Sequence, residues 1–591
     1  MNRRPMQIIH DFRILGKQTG DVGTGLRALQ AQGIGGVVTN MPFDDYMQDE
    51  GTWKAFREFL NVCRALGMRV WLYDEKGYPS GFAGGQVLAR RPELEAVGLY
   101  RDETGRIAEA PSYEGTHNCN NYFAKARTPS LLEPEAVREF VRLTHERYAT
   151  ELGADLAIVE AFFTDEPALN VMYFPPIPAA KDVPVMDPPD PHRRLLPGVP
   201  WSGTLAAQYE RRDLTGLFCD QAGASALRRD FYGRVGEQLA TNYFGQLQTW
   251  CQAHRLLSSG HMLWEEDPEI HVPLYGNFLR CLLRLDIPGI DVLSASPLSG
   301  YRYGRRAAVL AASAAMLNGT RRIFTESSDF CEQMNEKRMV TVGEATASLG
   351  WQAALGVTDF TYYFSYGLCP ELSDRTFAFL PEDQRKLART PAEYLAINNA
   401  VNGWMEILGS ASLAPDVFLY YPIELLQAAY YPVLRPWEAD SKSPELLRIA
   451  EAYTSALAGL LDAGVIPCLV DGAMLREIRR SAGTGAGYAV RKASANAIVC
   501  PAGCEPPQDC LPAEGCDIVP MTAELPRRLF EQGRARILND NPEVCAGVVQ
   551  DGARPLIVLV NLTDREQSCR IRSKDGERQV KLAAYAVSLE R

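Results

Sequence analysis

At 591 residues the chain is too long for a single hydrophobic core, and about two to four domains are expected. Its formal charge of -12 argues against nucleic acid or an anionic membrane as a partner. No apolar run is long enough to cross a bilayer, and Met1–His10 lacks the apolar stretch of an export signal, so a cytoplasmic location is expected. The 14 Cys are scattered without metal-ligand spacing, which points to reduced, buried thiols rather than disulfides.

The first part of the chain alternates short apolar runs with helical patterns, as βα units do. Strands are predicted at Ile8–Phe12, Gly36–Asn40, Arg69–Asp74, Ala157–Thr164, Leu256–Met262, Asp291–Ala295, Arg322–Thr325 and Thr358–Phe364. Between them lie helical patterns such as Thr52–Leu66, Pro134–Leu152, Gly223–His254, Tyr303–Leu317 and Thr341–Leu355. Pro134 suits a first helical turn, and Glu133 and Glu135 favour the positive end of the helix dipole. Eight strands with eight crossovers predict an α/β fold, a (β/α)8 TIM barrel over residues 1–400. Two connections are long, 77–133 and 170–222. Both would emerge at the C-terminal face, and loops of that length commonly cover or bind a ligand. Further strands at Asp416–Tyr421, Val465–Val470, Ala497–Cys500 and Asp517–Val519, with a helix over Pro444–Ala463, predict a small flavodoxin-like α/β domain over 401–530. Ser481–Gly487 is Gly-rich but lacks the Lys-Ser/Thr of a phosphate cradle, and reads as a flexible loop. Residues 531–591 alternate apolar and polar positions with few helix signals, which predicts a C-terminal β-sheet module.

Acids gather at predicted strand ends. The apolar run from Ala157 is stopped by Pro167 and ends in Asp165 and Glu166. Successive strand residues face opposite ways, so only one of the two should aim down the barrel axis. The run Arg322–Ser328 places Glu326 in the same way. Two carboxylates at the C-terminal ends of barrel strands suit glycoside hydrolysis: one protonates the leaving oxygen, and the other attacks the sugar or activates a water. Glu166 and Glu326 are therefore the candidate catalytic pair. Asp165 and the apolar Phe162 and Phe163 should raise the Glu166 pKa and suit it to be the acid. Val70–Gly85 ends a strand in Asp74 and Glu75 between Tyr73 and Tyr78, a composition that suits sugar better than the alternative, a turn with a solvated acid pair. Ser258–Asp267 adds His261, Trp264 and Glu265, and Tyr363 ends the last strand. With Asp74, Glu75, Tyr78 and Asp165 these are the candidate substrate contacts. His261 could equally orient a carboxylate. No metal set is expected: His10 and Asp11 end the first strand, but Ile8 and Phe12 stand where a His-x-His pair would need its second histidine.

The run Tyr73–Gly81 (Tyr-Asp-Glu-Lys-Gly-Tyr-Pro-Ser-Gly) resembles a hallmark of family 106 glycoside hydrolases, the α-L-rhamnosidases. So do Leu132–Val137 with Thr144–Tyr148, Phe163–Pro167, Gly260–Leu263 with Glu265 and Glu266, and Ile287–Asp291. The resemblance spans about residues 36–366. It implies a (β/α)8 catalytic domain, an exo-acting site for a terminal sugar of a carbohydrate substrate, and Ca²⁺ in rhamnosidase members. It also implies the general-acid position for Glu166, the seventh-strand carboxylate for Glu326, and sugar contacts for Asp74, Glu75, His261 and Glu265. The chain is shorter than typical rhamnosidases. Its α/β segment after the barrel is similar to one in β-galactosidases, so a β-galactosidase-like specificity stays open, as does a carbohydrate-binding barrel without turnover. Related enzymes with such a segment often form homo-oligomers, and one is expected here.

Overall fold

The computed structural model describes the chain apart from residues 1–3, 10, 43–45, 78, 113–127, 170–195, 293, 329–330, 333–337, 364–389, 410, 434–441, 482–486, 552–553 and 591. Eight parallel strands close into a barrel: β1 (Met6–Ile9), β2 (Gly36–Thr39), β3 (Arg69–Tyr73), β4 (Val159–Asp165), β5 (Leu257–His261), β6 (Ile287–Val292), β7 (Phe324–Ser328) and β8 (Asp359–Tyr363). Each strand pairs with its neighbours in the chain, and β1 closes on β8, Met6 opposite Thr361. The strands are almost continuously buried because helices cover the outside and side chains fill the inside, and β1 to β4 are mostly apolar.

Seven strands lie within a few residues of their predicted places, while β6 begins four positions before Asp291, the predicted start. Pro288 and Gly289 read as turn signals, yet both belong to the strand. Pro288 sits near the strand start, where a missing N–H is tolerated. Gly289 leaves room for a ring: a Cβ there would stand 1.7 Å from Phe324 Cε1.

The barrel interior is layered. At the N-terminal end, Arg69 and Arg322 both reach the fully buried Asp359 at 2.7 Å, and Arg322 also reaches Glu160 at 2.7 Å. Trp71 Nε1 donates to Glu160 at 2.8 Å. Above this lies an aromatic layer, with Phe324 edge-on to Trp71 and Phe163 at 5.7 and 5.3 Å between ring centres. Polar residues fill the C-terminal end.

The helix Glu50–Ala65 begins at Asp49, whose carboxylate accepts from Gly51 and Thr52. Pro134 opens its helix as expected. The helix predicted over 134–152 is two, Pro134–Leu143 and His145–Leu152, divided at Thr144 (φ -113, ψ -78). The long helix after residue 223 carries a π-turn at Ala240–Phe244. The two long connections meet, with Gly198–Trp201 pairing antiparallel with Val97–Arg101, which also pairs with Ile107–Pro111.

After the helix Pro391–Leu408 comes a parallel sheet of β9 (Val417–Tyr420), β10 (Pro467–Val470), β11 (Ala497–Cys500) and β12 (Ile518–Pro520). Its order, β10-β9-β11-β12, is flavodoxin-like. The last residues form two antiparallel sheets. One includes Ser412–Leu413, which pairs with Val544–Asp551 although it precedes β9. Among the described residues, no helix is long and apolar enough to cross a membrane. The cysteines whose side chains are described are free thiols, most of them buried.

Candidate active site

Strand alternation sets which side chains meet. On β3, β4 and β7, Tyr73, Phe163 and Phe324 belong to the interior cluster, so Asp165 and Glu326, two positions on, face the same way. The register puts Asp165 level with His261 on β5, and Glu326 level with Asp291 on β6. His261 Nε2 stands 3.1 Å from Asp165 Oδ1 and 3.1 Å from Glu326 Oε2. Tyr73 donates its hydroxyl hydrogen to Asp165. Glu265 comes from the turn after β5. Its Oε1 accepts from the Met262 and Asp291 backbone N–H groups at 3.1 and 3.3 Å and lies 3.7 Å from His261 Nδ1.

Glu166 should point away from Asp165 if the strand continued. It does not, because its φ is +49°, a left-handed conformation rare outside glycine. The backbone turns back at the strand end, and its N–H donates to the His261 carbonyl at 3.2 Å. The expectation that only one of the pair could enter the site is corrected: donor atoms of Glu166, His261 and Asp291 lie within 4.8 Å of one another, as do those of Asp165, His261 and Glu326. Strain of this kind, of order 1–3 kcal/mol, persists where the surroundings enforce it and is common at functional sites.

Asp74 and Glu75 are not brought to this cluster: alternation accounts for Asp74, and the strand ends at Tyr73, so Glu75 belongs to the turn that follows. Tyr73 faces inward, so Asp74 faces out and accepts from Ser80 Oγ at 2.6 Å. Glu75 accepts from four backbone N–H groups: Lys76 and Gly84 on Oε1, Phe82 and Ala83 on Oε2. Both are fully buried and close the turn beside the site instead of lining it. Tyr78 lies outside the described residues. Trp264 is part-buried with φ +54°, and Tyr363 is part-buried against the interior cluster.

Asp291 is a site residue that the sequence reading did not single out. With β6 placed too late, it fell at a strand start, the stabilising end of a barrel. The Ile-Asp-Val pattern after Pro-Gly, read as strand, would have put it at the functional end.

The charges are crowded. Burial, with Asp165 next, pushes Glu166 well above the usual carboxylate range. Burial likewise raises Glu265 and Asp291 well above it, and Glu326 less, against the pull of His261. For His261, burial lowers the pKa, but Asp165 and Glu326 outweigh it and hold the ring well above its ordinary value. The two carboxylates it touches thus favour the charged form of His261. Ca²⁺ prefers a cage of oxygens. Among the described residues the imidazole belongs to both candidate donor groups, so neither set suits the Ca²⁺ implied by the resemblance.

No protein-family model and no curated protein sequence matches the chain. Solved structures do resemble it. A rhamnosidase from Novosphingobium sp. is 11% identical with a TM-score of 0.57, over 100% of this chain and 82% of that one. Gan42B, a GH42 β-galactosidase from G. stearothermophilus, is 10% identical with a TM-score of 0.62, over 100% and 98%. A β-galactosidase from Bacillus circulans sp. alkalophilus is 9% identical with a TM-score of 0.58, over 100% and 99%. At such identity the likeness is one of fold: the chain has the architecture of these glycoside hydrolases, a (β/α)8 barrel followed by additional sheets.

Proposed function

We propose that the protein is an exo-acting glycoside hydrolase that removes a terminal sugar with Glu166 as general acid and Glu326 as second carboxylate. The observation that carries this reading is the convergence of Asp165, Glu166, Asp291 and Glu326 around His261 at the C-terminal ends of β4 to β7. Glu166, raised by burial and by Asp165, is held protonated and can donate to the leaving oxygen. Glu326, hydrogen-bonded to His261, attacks the anomeric carbon or activates a water. Asp165 accepts from Tyr73 and stands beside the same imidazole, where it can bond a sugar hydroxyl. Glu265 keeps its Oε2 without a partner although the residue is only 3% exposed, a second place for a hydroxyl.

An α-L-rhamnoside-like glycone is the first reading, supported by the motif resemblance. A β-galactoside is the second, supported by GH42 structures that align along nearly their whole length with this chain. The test is a panel of p-nitrophenyl glycosides assayed with wild type, Glu166→Gln and Glu326→Gln. One glycoside should be cleaved, and each variant should lose about 10²–10⁴-fold in kcat, with Glu166→Gln least affected on activated leaving groups. Undiminished hydrolysis in either variant would overturn that residue's role. Silence across the panel with sugar still bound by calorimetry would favour a binding barrel. The anomer released first, read by NMR, assigns Glu326 as nucleophile or base.

A further inference from the structure

The turn that carries Trp264, Glu265 and Glu266 is tied to the second sheet by a buried histidine. His271 opens the short helix His271–Tyr275 and is 1% exposed. Its Nε2 lies 2.9 Å from the Glu265 carbonyl oxygen, and its Nδ1 lies 2.7 Å from the hydroxyl of Tyr421, the fully buried residue that follows β9. A carbonyl can only accept, so Nε2 carries the ring hydrogen. Burial lowers this ring's pKa to about 3, so it is neutral, and Nδ1 must accept from Tyr421. The chain of donors therefore runs one way: Tyr421 to His271 to the Glu265 backbone.

The rest of the segment is held from the same side. Asn277 Nδ2 and Arg280 Nε both donate to Asp471, the residue after β10, at 3.0 and 2.7 Å. Gln427 donates to the Gly276 carbonyl at 2.9 Å. Gly276 packs so tightly that a Cβ on it would stand 2.4 Å from the Gly236 nitrogen.

We propose that His271 is a positioning residue: relaying from Tyr421, it fixes the turn at Trp264 and Glu265 and so sets Glu265 against His261 and the glycone. The α/β segment after the barrel is then part of the active-site scaffold. The inference rests on the glycosidase reading for its activity readout, but its geometry can be tested without turnover.

The experiment uses the full chain, labelled with 5-fluorotryptophan and observed by ¹⁹F NMR, with the Trp264 signal assigned by its loss in Trp264→Phe. Tyr421→Phe, which keeps the ring, and His271→Phe should shift or broaden the Trp264 signal and leave the other tryptophans in place. His271→Gln should restore it, because an amide donates through Nε2 and accepts through Oε1. On the cleaved glycoside, His271→Phe should lower kcat/KM by about tenfold or more, chiefly through KM, and His271→Gln should recover most of it. An unmoved Trp264 signal in both Tyr421→Phe and His271→Phe overturns the proposal, as does a Gln variant no better than Phe. If wild type cleaves nothing, the glycosidase reading fails, and the ¹⁹F signals still decide the relay.

Discussion

Glu166 owes its place beside His261 to one backbone angle. Its φ of +49° lets two adjacent carboxylates enter one site, and no pattern of residue types announces that. Burial then decides the chemistry. Because Glu166 titrates well above the ordinary range, kcat/KM on the cleaved glycoside should fall as pH rises through the raised value. Stability follows the same sign. Carboxyls with raised pKa values bind protons in the folded state that the unfolded chain has released, so they cost stability once pH exceeds the ordinary carboxylate range. Replacing Asp291 with Asn should therefore stabilise the protein by about 1 kcal/mol at pH 8 and by much less at pH 4, while reducing turnover. Urea unfolding at both pH values checks this, and an equal effect at both would contradict it. The His261 donor set leads to a further expectation: dialysis against EDTA should leave glycoside cleavage unchanged, and full loss restored by added Ca²⁺ would refute it.

Strands carry these residues in layers, and each layer has its own cost of disturbance. The ion network at the N-terminal end links Arg69 on β3 and Arg322, just before β7, to Glu160 on β4 and Asp359 on β8. Asp359→Ala takes their fully buried partner from Arg69 and Arg322 and leaves the two cations to the more exposed Glu160. It should cost about 3–5 kcal/mol by urea unfolding, with kcat on the cleaved glycoside close to wild type in the protein that folds. The eight-strand count was legible because buried parallel strands are short apolar runs separated by helical periodicity. β6 was misplaced because Pro288 and Gly289 are turn signals in isolation, and Gly289 is explained only by the Phe324 ring from the neighbouring strand. That error hid Asp291. Asp74 and Glu75 are an acid pair beside aromatics, and their carboxylates accept from Ser80 and from backbone N–H groups of the following turn, while the inward-facing residue of that strand end is Tyr73, which bonds Asp165.

At the scale of the molecule, the segments after the barrel pack back onto it. Gly547 meets the end of the helix Val342–Ala354 so closely that a Cβ would stand 1.9 Å from the Ala354 carbonyl oxygen. Gly547→Val should cost about 1–3 kcal/mol of stability by thermal unfolding, and an unchanged melting temperature would mean that this contact yields freely. Composition, strand count and the placement of Glu166, His261 and Glu326 at strand ends were readable from the residues themselves, since burial, periodicity and the acids at strand ends are local properties. Which acids meet was not. Alternation, register and one left-handed residue decide that Asp165, Glu166, Asp291 and Glu326 gather at one imidazole, while the backbone N–H groups of its own turn hold Glu75. The relay from Tyr421 through His271 joins positions 150 residues apart, and a pairing over that separation leaves no trace in local pattern.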